Sequence, residues 1–410
     1  MTLPRTLVAF CVALGSLAVA ARAAQPTAVP AATAAPLPEL RIGDPAPDFR
    51  LPGIDDKTHS LASYAKADVL AVIFLSNHCP DSNATAPRVI EFAKRMAGKS
   101  LAIVAINPNH PDAVSVDELG YSDYTDSFPE MKRYAKDLGF VFPYLYDGET
   151  QATSQAYGCL CTPHLFVFDR ERRLRYKGHF DDSRFADPKT VTATEGRDAI
   201  EALLAGRPVA VAQTAPHGCS TKWLSKKSAV VARDKKWNST PVDVEKIDLA
   251  GVEALRRNGT QKLRLFNVWA TWCGPCVEEF PTLVEASRRF SQREFELITI
   301  SVDDPNHLSR AKAFLEKQGA GLAPKLKASL AKEGRRTNSY LFTGASMATV
   351  MQALDSEWKG GIPHTVLVAP DGKVLWRHSG VVSEGALRRE ILAVVGPYFV
   401  PGDGTVRGTR

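Results

Sequence analysis

Two stretches of the chain carry the same order of hydrophobic and polar positions. In the first, Val69-Leu70-Ala71-Val72-Ile73-Phe74-Leu75 is an unbroken apolar run bounded by polar residues. A strand buried on both faces has that pattern. Asn77-His78-Cys79-Pro80-Asp81-Ser82 follows and leads into a helical spacing of Val89, Ile90 and Phe92. Leu101 to Ile106 reads as a second buried strand, Met131 to Leu138 as a helix and Tyr144 to Tyr146 as a short strand. Leu165 to Asp169 and Leu174 to Gly178 read as a hairpin, and Arg197 to Leu204 as a closing helix.

The second stretch repeats this order. Leu263-Arg264-Leu265-Phe266-Asn267-Val268 reads as a strand, and Trp269-Ala270-Thr271-Trp272-Cys273-Gly274-Pro275-Cys276 follows it directly. Val277, Phe280, Leu283 and Val284 then line one side of a helix, with Glu278, Glu279, Glu285, Arg288 and Arg289 on the other. Leu297 to Val302 predicts a strand and Leu308 to Gln318 a helix. Thr365 to Ala369 and Val374 to Arg377 predict a hairpin around the turn Pro370-Asp371-Gly372-Lys373, and Leu387 to Val395 the last helix. The fold class is α/β, with an internal duplication of a βαβ-type unit that ends in a hairpin and a helix. Residues 319–361 read as partly helical, without a counterpart of similar length in the first unit, and are a candidate for shaping a substrate groove. Gly206 to Pro241 changes composition, carries a basic run from Lys222 to Lys236, and reads as the connection, with its first part packed on the first unit.

Length and composition refine this picture. A chain of 410 residues accommodates two or three domains. Arg5, the apolar run Leu7 to Ala20 and Ala21-Arg22-Ala23 form a secretory signal pattern over residues 1–23, too short for a spanning helix. Residues 24–40, rich in Ala, Pro and Thr, read as a disordered leader, and 401–410 as a flexible tail. These features predict an exported, soluble protein, periplasmic if the source is bacterial. Cleavage removes two arginines, and the formal charge falls from +6 to +4. This mild excess carries no nucleic-acid signature, and a basic run is ordinarily a solvated face.

Cleavage also removes Cys11, leaving Cys79, Cys159, Cys161, Cys219, Cys273 and Cys276. Export permits disulfides, and a chain this long needs no staple for its core, so chemistry is the better reason for some of these cysteines. Cys273 and Cys276 sit where a strand turns into a helix. The free N–H groups and dipole of a helix N-terminus stabilise a thiolate. Cys276, one turn further in, is placed to attack a mixed disulfide formed on Cys273. Zinc binding would need a second Cys or His pair at matching spacing, and His307, His364 and His378 are far apart and unpaired. No metal and no cofactor are predicted. Cys79 occupies the corresponding place in the first unit, with His78 beside it and Ser82 where a second cysteine would stand. Both the helix terminus and His78 lower a thiol pKa; the plain alternative is an inert buried cysteine. Asp303-Asp304 reads as a cap for the next helix, and His110, His164, His179 and His217 as surface residues.

The octet with its flanking tryptophans, together with Asn267, Glu279 and Pro281, resembles the TlpA/ResA branch of the thioredoxin superfamily over roughly Val242 to Val400. Asn77-His78-Cys79-Pro80, Tyr144 to Asp147, Thr162-Pro163, Asp181 to Arg184 and Gly218 to Trp223 resemble the peroxiredoxin-like (AhpC/TSA-type) redoxins over roughly Asp44 to Trp223. The resemblance implies two tandem thioredoxin-like domains, at 41–223 and 242–400, joined by a linker at 224–241. It implies that Pro163 and Pro363 are cis prolines facing the active cysteines. Thr162 and Ile362 before them then offer backbone to an extended substrate as an added strand.

The activity implied is dithiol–disulfide exchange through Cys273 and Cys276, with protein disulfides as clients. A Gly-Pro pair between the cysteines, as in thioredoxin at about −270 mV, points to a reductant recharged by a membrane or periplasmic electron donor. One alternative is a peroxidase in which Cys79 reduces a hydroperoxide and the second domain reduces Cys79, a tether raising the effective concentration. Peroxiredoxins carry Thr or Ser three residues before the reactive cysteine and Pro seven before; Ser76 fits and Val72 does not. Cys159, Cys161, Cys219 and the Cys273/Cys276 pair are all candidate resolving thiols, and spacing alone does not choose among them. The other alternative makes the first domain a catalytically silent module that docks clients.

Overall fold

The computed structural model describes residues 38–344 and 346–399. The predicted signal peptide, most of the leader and the tail lie outside the described residues. No helix among the described residues is long and apolar enough to cross a membrane.

The first domain opens with a hairpin of β1 (Arg50–Pro52) and β2 (Thr58–Ser60). Then come β3 (Val69–Phe74), α1 (Pro80–Arg95), β4 (Leu101–Asn107), α2 (Phe128–Leu138), β5 (Tyr144–Tyr146) and α3 (Ala152–Ala156). They are followed by β6 (Cys161–Thr162), β7 (His164–Phe168), β8 (Leu174–Gly178), α4 (Glu195–Leu204) and β9 (Cys219–Ser220). The five-stranded sheet runs β5-β4-β3-β7-β8, with β7 antiparallel to β3. Along β3 the pleat divides the side chains. Val69, Ala71 and Ile73 join the core under α1 and α2, while Leu70, Val72 and Phe74 join the core on the other face.

After α5 (Lys227–Asn238), the second domain comprises β10 (Glu245–Ile247), α6 (Leu249–Arg257), β11 (Leu263–Trp269), α7 (Gly274–Arg289), β12 (Phe295–Ser301) and α8 (Leu308–Lys317). It continues with α9 (Pro324–Lys332), β13 (Ser339–Phe342), α10 (Met347–Leu354), β14 (His364–Val368), β15 (Val374–Ser379) and α11 (Glu384–Val395). Its six-stranded sheet runs β10-β13-β12-β11-β14-β15. The duplication extends to detail. α1 and α7 each have 16 residues, a cysteine at the N-cap, and an internal proline, Pro87 or Pro281, at the same offset from that cysteine.

Within residues 319–361, β13 takes the place beside β12 that β5 takes beside β4. Two expectations need correction. The connection at 224–241 is largely a helix, α5, and two of its basic residues are paired, while Lys235 and Lys236 stay exposed. Lys227 bonds Asp112 and Arg233 bonds Asp117, while Lys222, just before it, reaches Glu118. Among the histidines, His164 is buried, and burial pushes its ring pKa down to about 3.

Candidate active site

The cysteine pair of the second domain is built by β11 and α7. Cys273 is the N-cap of α7, with Gly274 and Pro275 in the first turn, where a proline loses no hydrogen bond. Its sulfur accepts the Cys276 N–H at 3.2 Å and lies 3.6 Å from the carbonyl oxygen of Ile362. The two cysteines are joined as a disulfide. Cys276 is buried and Cys273 nearly so, while Trp272 beside them is 63% exposed. The Ile362–Pro363 bond is cis.

The structure adds two residues to this site. Glu279 lies one helical turn beyond Cys276, fully buried. It accepts from Asn267 Nδ2 at 2.9 Å, from the Val382 N–H at 3.2 Å and from Thr365 Oγ1 at 3.5 Å. Burial pushes its carboxyl up to about 7, against the pull of these three donors. Only its place after the second cysteine marked it in the sequence. Asp303 does not cap α8, whose N-cap is His307. It accepts from the Thr271 N–H and hydroxyl and from Ser301 Oγ, so it holds the loop that presents Trp272 and Cys273.

In the first domain, Cys79 is the N-cap of α1 and is fully buried. Its thiol lies 3.0 Å from the carbonyl oxygen of Thr162, which precedes cis Pro163. His78 Nδ1 bonds Asp126 at 2.5 Å, and Asp126 also accepts from the Asn77 N–H and from the side chains of Asn107 and Asn109. Burial pushes the Cys79 thiol up, but the hydrogen bond with Cys219, the His78 charge and the Ser82 N–H outweigh it and bring it down to about 7. Ser76 hydrogen-bonds Thr162 Oγ1 at 2.8 Å. Ser82 turns its hydroxyl to the Ser76 N–H.

Of the candidate partners, Cys219 is brought to Cys79. The sulfurs of Cys79 and Cys219 and a carboxylate oxygen of Asp81 lie within 4.8 Å of one another. Arg184 clamps Asp81 through Nε at 2.6 Å and Nη2 at 3.1 Å. Cys161 is buried, its thiol pushed up to about 12 by that burial, and its sulfur lies 3.5 Å from the Pro163 carbonyl oxygen. Cys159 is buried against Thr221. The backbone edge at Thr162, expected to receive a substrate strand, is already paired with β9, Thr162 opposite Cys219 and Cys161 opposite Ser220.

The two domains meet at the other end of α7. Arg289, in its last turn, donates to the carbonyl oxygens of Leu119 and Ser122 at 3.2 Å each. Arg388 bonds Asp123 at 2.6 Å. Phe399 meets Tyr121 edge-on with ring centroids 5.1 Å apart and lies under Arg184. The same loop holds Ser122, which donates to the Asn77 carbonyl, so the second domain docks on the loop that supports Cys79. A 16-residue helix is about 24 Å long, so Cys273 and this contact stand at opposite ends of α7.

Residues 42–177 match the AhpC/TSA family model, and residues 256–394 match the Redoxin model. The chain is a tandem of two thioredoxin-superfamily domains. The thiol-disulfide oxidoreductase ResA of Bacillus subtilis is 24% identical over 121 residues, which is 30% of this tandem chain and 55% of that protein. The thiol:disulfide interchange protein HelX of Rhodobacter capsulatus is 28% identical over 131 residues, 32% of the tandem chain and 59% of its own length. The alignments thus span little more than half the length of these curated relatives. Among solved structures, a hypothetical protein of Sinorhizobium meliloti is 37% identical, covers 46% of the tandem chain and 97% of its own, and superposes with a TM-score of 0.41.

Proposed function

We propose that this chain is a thiol–disulfide oxidoreductase that works through Cys273 and Cys276. The observation that carries the reading is the placement of the Cys273 sulfur. It caps α7, accepts the Cys276 N–H, and faces the backbone before cis Pro363 beside an exposed tryptophan. In the reduced protein the helix terminus favours the Cys273 thiolate, which attacks one sulfur of a client disulfide and releases the other as a thiolate. Cys276 then attacks the mixed disulfide and frees the reduced client. Glu279, neutral or charged near pH 7, is the nearby buried group able to take the Cys276 proton. The Ile362 backbone and Pro363 hold the client segment. The names of the two curated relatives, an oxidoreductase and an interchange protein for thiols and disulfides, support this chemistry. The Gly-Pro dipeptide supports the reducing direction, fed by a membrane or periplasmic donor, and the N-terminal sequence pattern supports export.

The experiment is insulin disulfide reduction by the full chain with dithiothreitol as reductant. Activity is expected to vanish in Cys273→Ser/Cys276→Ser and to persist in Cys79→Ser. Activity that survives the double substitution overturns the reading.

A second reading concerns the first domain: Cys79 reduces a hydroperoxide. Its support is a thiol brought down to about 7 at a buried helix N-cap. A fully buried sulfur suits a small oxidant better than a protein disulfide. With Cys273 at the far end of α7, the reductant for Cys79 in this arrangement comes from outside the chain. Peroxide consumption that is the same in wild type and Cys79→Ser removes this reading.

A further inference from the structure

We infer that Cys79 and Cys219 are the two halves of a second redox centre, which closes into a disulfide across the strand pair β6–β9. The inference rests on the reading of Cys79 as a hydroperoxide-reactive thiol and names its partner.

The two domains differ at the backbone edge before the cis proline. In the second domain the corresponding residue, Ile362, lies outside any strand among the described residues. In the first domain the chain fills that edge itself. β9 pairs antiparallel with β6 and sets Cys219 directly opposite Thr162, whose carbonyl oxygen lies 3.0 Å from the Cys79 sulfur. Cys219 therefore sits where the cysteine of an added substrate strand would meet the reactive thiol.

The approach is built into the backbone. Gly218 has φ +147, and a Cβ there would lie 2.0 Å from the Thr162 carbonyl oxygen. Only glycine lets the chain come this close. On the other side Thr221 hydrogen-bonds the Cys159 carbonyl oxygen at 3.0 Å, and Lys222 N–H bonds Asn109, so β9 is anchored on both flanks. The two sulfurs already lie within 4.8 Å and must close to about 2.05 Å, a shift that side-chain rotation supplies. Cys219 is the less buried residue of the two, so the side nearer solvent, from which an external reductant approaches, is that of Cys219.

The electrons balance in two steps. The Cys79 thiolate attacks the terminal oxygen of a hydroperoxide. The O–O bond breaks, an S–O bond forms, the alcohol or water leaves with one proton, and Cys79 becomes a sulfenic acid. The Cys219 thiol then attacks the Cys79 sulfur. The S–S bond forms, and the hydroxyl leaves as water with the Cys219 proton. An external dithiol returns two electrons and two protons.

The test treats the full-length reduced chain with one equivalent of hydrogen peroxide, blocks free thiols, digests and maps linked peptides by mass spectrometry. A parallel arm uses oxidised glutathione, and a third treats Cys219→Ser with peroxide and a sulfenic-acid trap. A Cys79–Cys219 peptide in the peroxide arm, with trapped sulfenic acid on Cys79 in the variant, is the expected result. Sulfenic acid on Cys79 of the untouched chain without that link, or a link to Cys159 or Cys161, overturns the pairing and leaves the peroxide reading standing. If peroxide never modifies Cys79, the peroxide reading fails and the glutathione arm decides the pairing: the Cys79–Cys219 link supports it, and its absence overturns it.

Discussion

Gly120 of the first domain and Arg289 of the second are in direct backbone contact: a Cβ on Gly120 would lie 2.5 Å from the Arg289 carbonyl oxygen. The main chains of the two domains meet there with no side chain between them. Gly120→Ala is therefore expected to lift the end of α7 from the loop at 119–123, at a cost of about 1–3 kcal/mol for the forced shift. Proteolysis within 224–241 should quicken, and insulin reduction should be unchanged. Unchanged cleavage kinetics would mean that the contact does not hold the domains together.

Glu279 makes stability depend on pH. Its carboxyl titrates near 7 in the folded chain against about 4.5 unfolded, so the folded form binds the extra proton. That contribution is fully present below pH 4.5 and is lost as the pH rises through about 7. The shift corresponds to about 3 kcal/mol. Glu279→Gln should remove this slope and leave the variant relatively more stable at pH 8. Denaturant midpoints measured from pH 5 to pH 8 on the oxidised protein check it; parallel slopes for both proteins would refute the assignment.

Asp126 orders the ring of His78 and thereby acts on Cys79. Burial disfavours the imidazolium, but the charge and hydrogen bond of Asp126 win and raise the His78 pKa. Asp126→Asn should neutralise His78 near pH 7 and raise the Cys79 pKa above about 7. The ultraviolet absorbance of the thiolate, titrated with the Cys273–Cys276 disulfide intact, reads this directly. Among the described residues the other free thiols are pushed well up by burial or, for Cys219, mainly by its hydrogen bond with Cys79, and stay silent in that range. An unmoved midpoint would show that His78 does not tune the thiol.

Gly218→Ala places a methyl against the Thr162 carbonyl at a φ that suits glycine alone. We expect a loss of more than about 1 kcal/mol in stability and failure of the Cys79–Cys219 link under peroxide. Insulin reduction by the second domain should survive. A variant of normal stability that still forms the link would show that the close approach of β9 is not required.

Much of this was legible in the sequence because it is local. The apolar run at Val69–Leu75, the strand-to-helix turns at Cys79 and Cys273, and the two hairpins each follow from neighbouring residues, and their bounds agree with the structure to within a few positions. β13 was not legible: Ser339-Tyr340-Leu341-Phe342 is four residues long, and its strand character comes from lying between β10 and β12. Asp303 looked like a helix cap because Asp before a helix usually is one, whereas its partners are Thr271 and Ser301. The choice of Cys219 over Cys159 and Cys161 depended on a pairing between residues more than fifty positions apart in the chain. No periodicity encodes that, only Gly218, whose need for a positive φ is visible once β9 is in place.

In the exchange proposed for the pair, Cys273 is the attacking thiol and Cys276 the resolving one. Cys276→Ser, reduced and mixed with insulin, tests it most directly by trapping the intermediate. A mixed disulfide on Cys273 should accumulate, release on adding dithiothreitol, and be absent from Cys273→Ser. Trapping at Cys79, or equal trapping in both variants, would contradict the account.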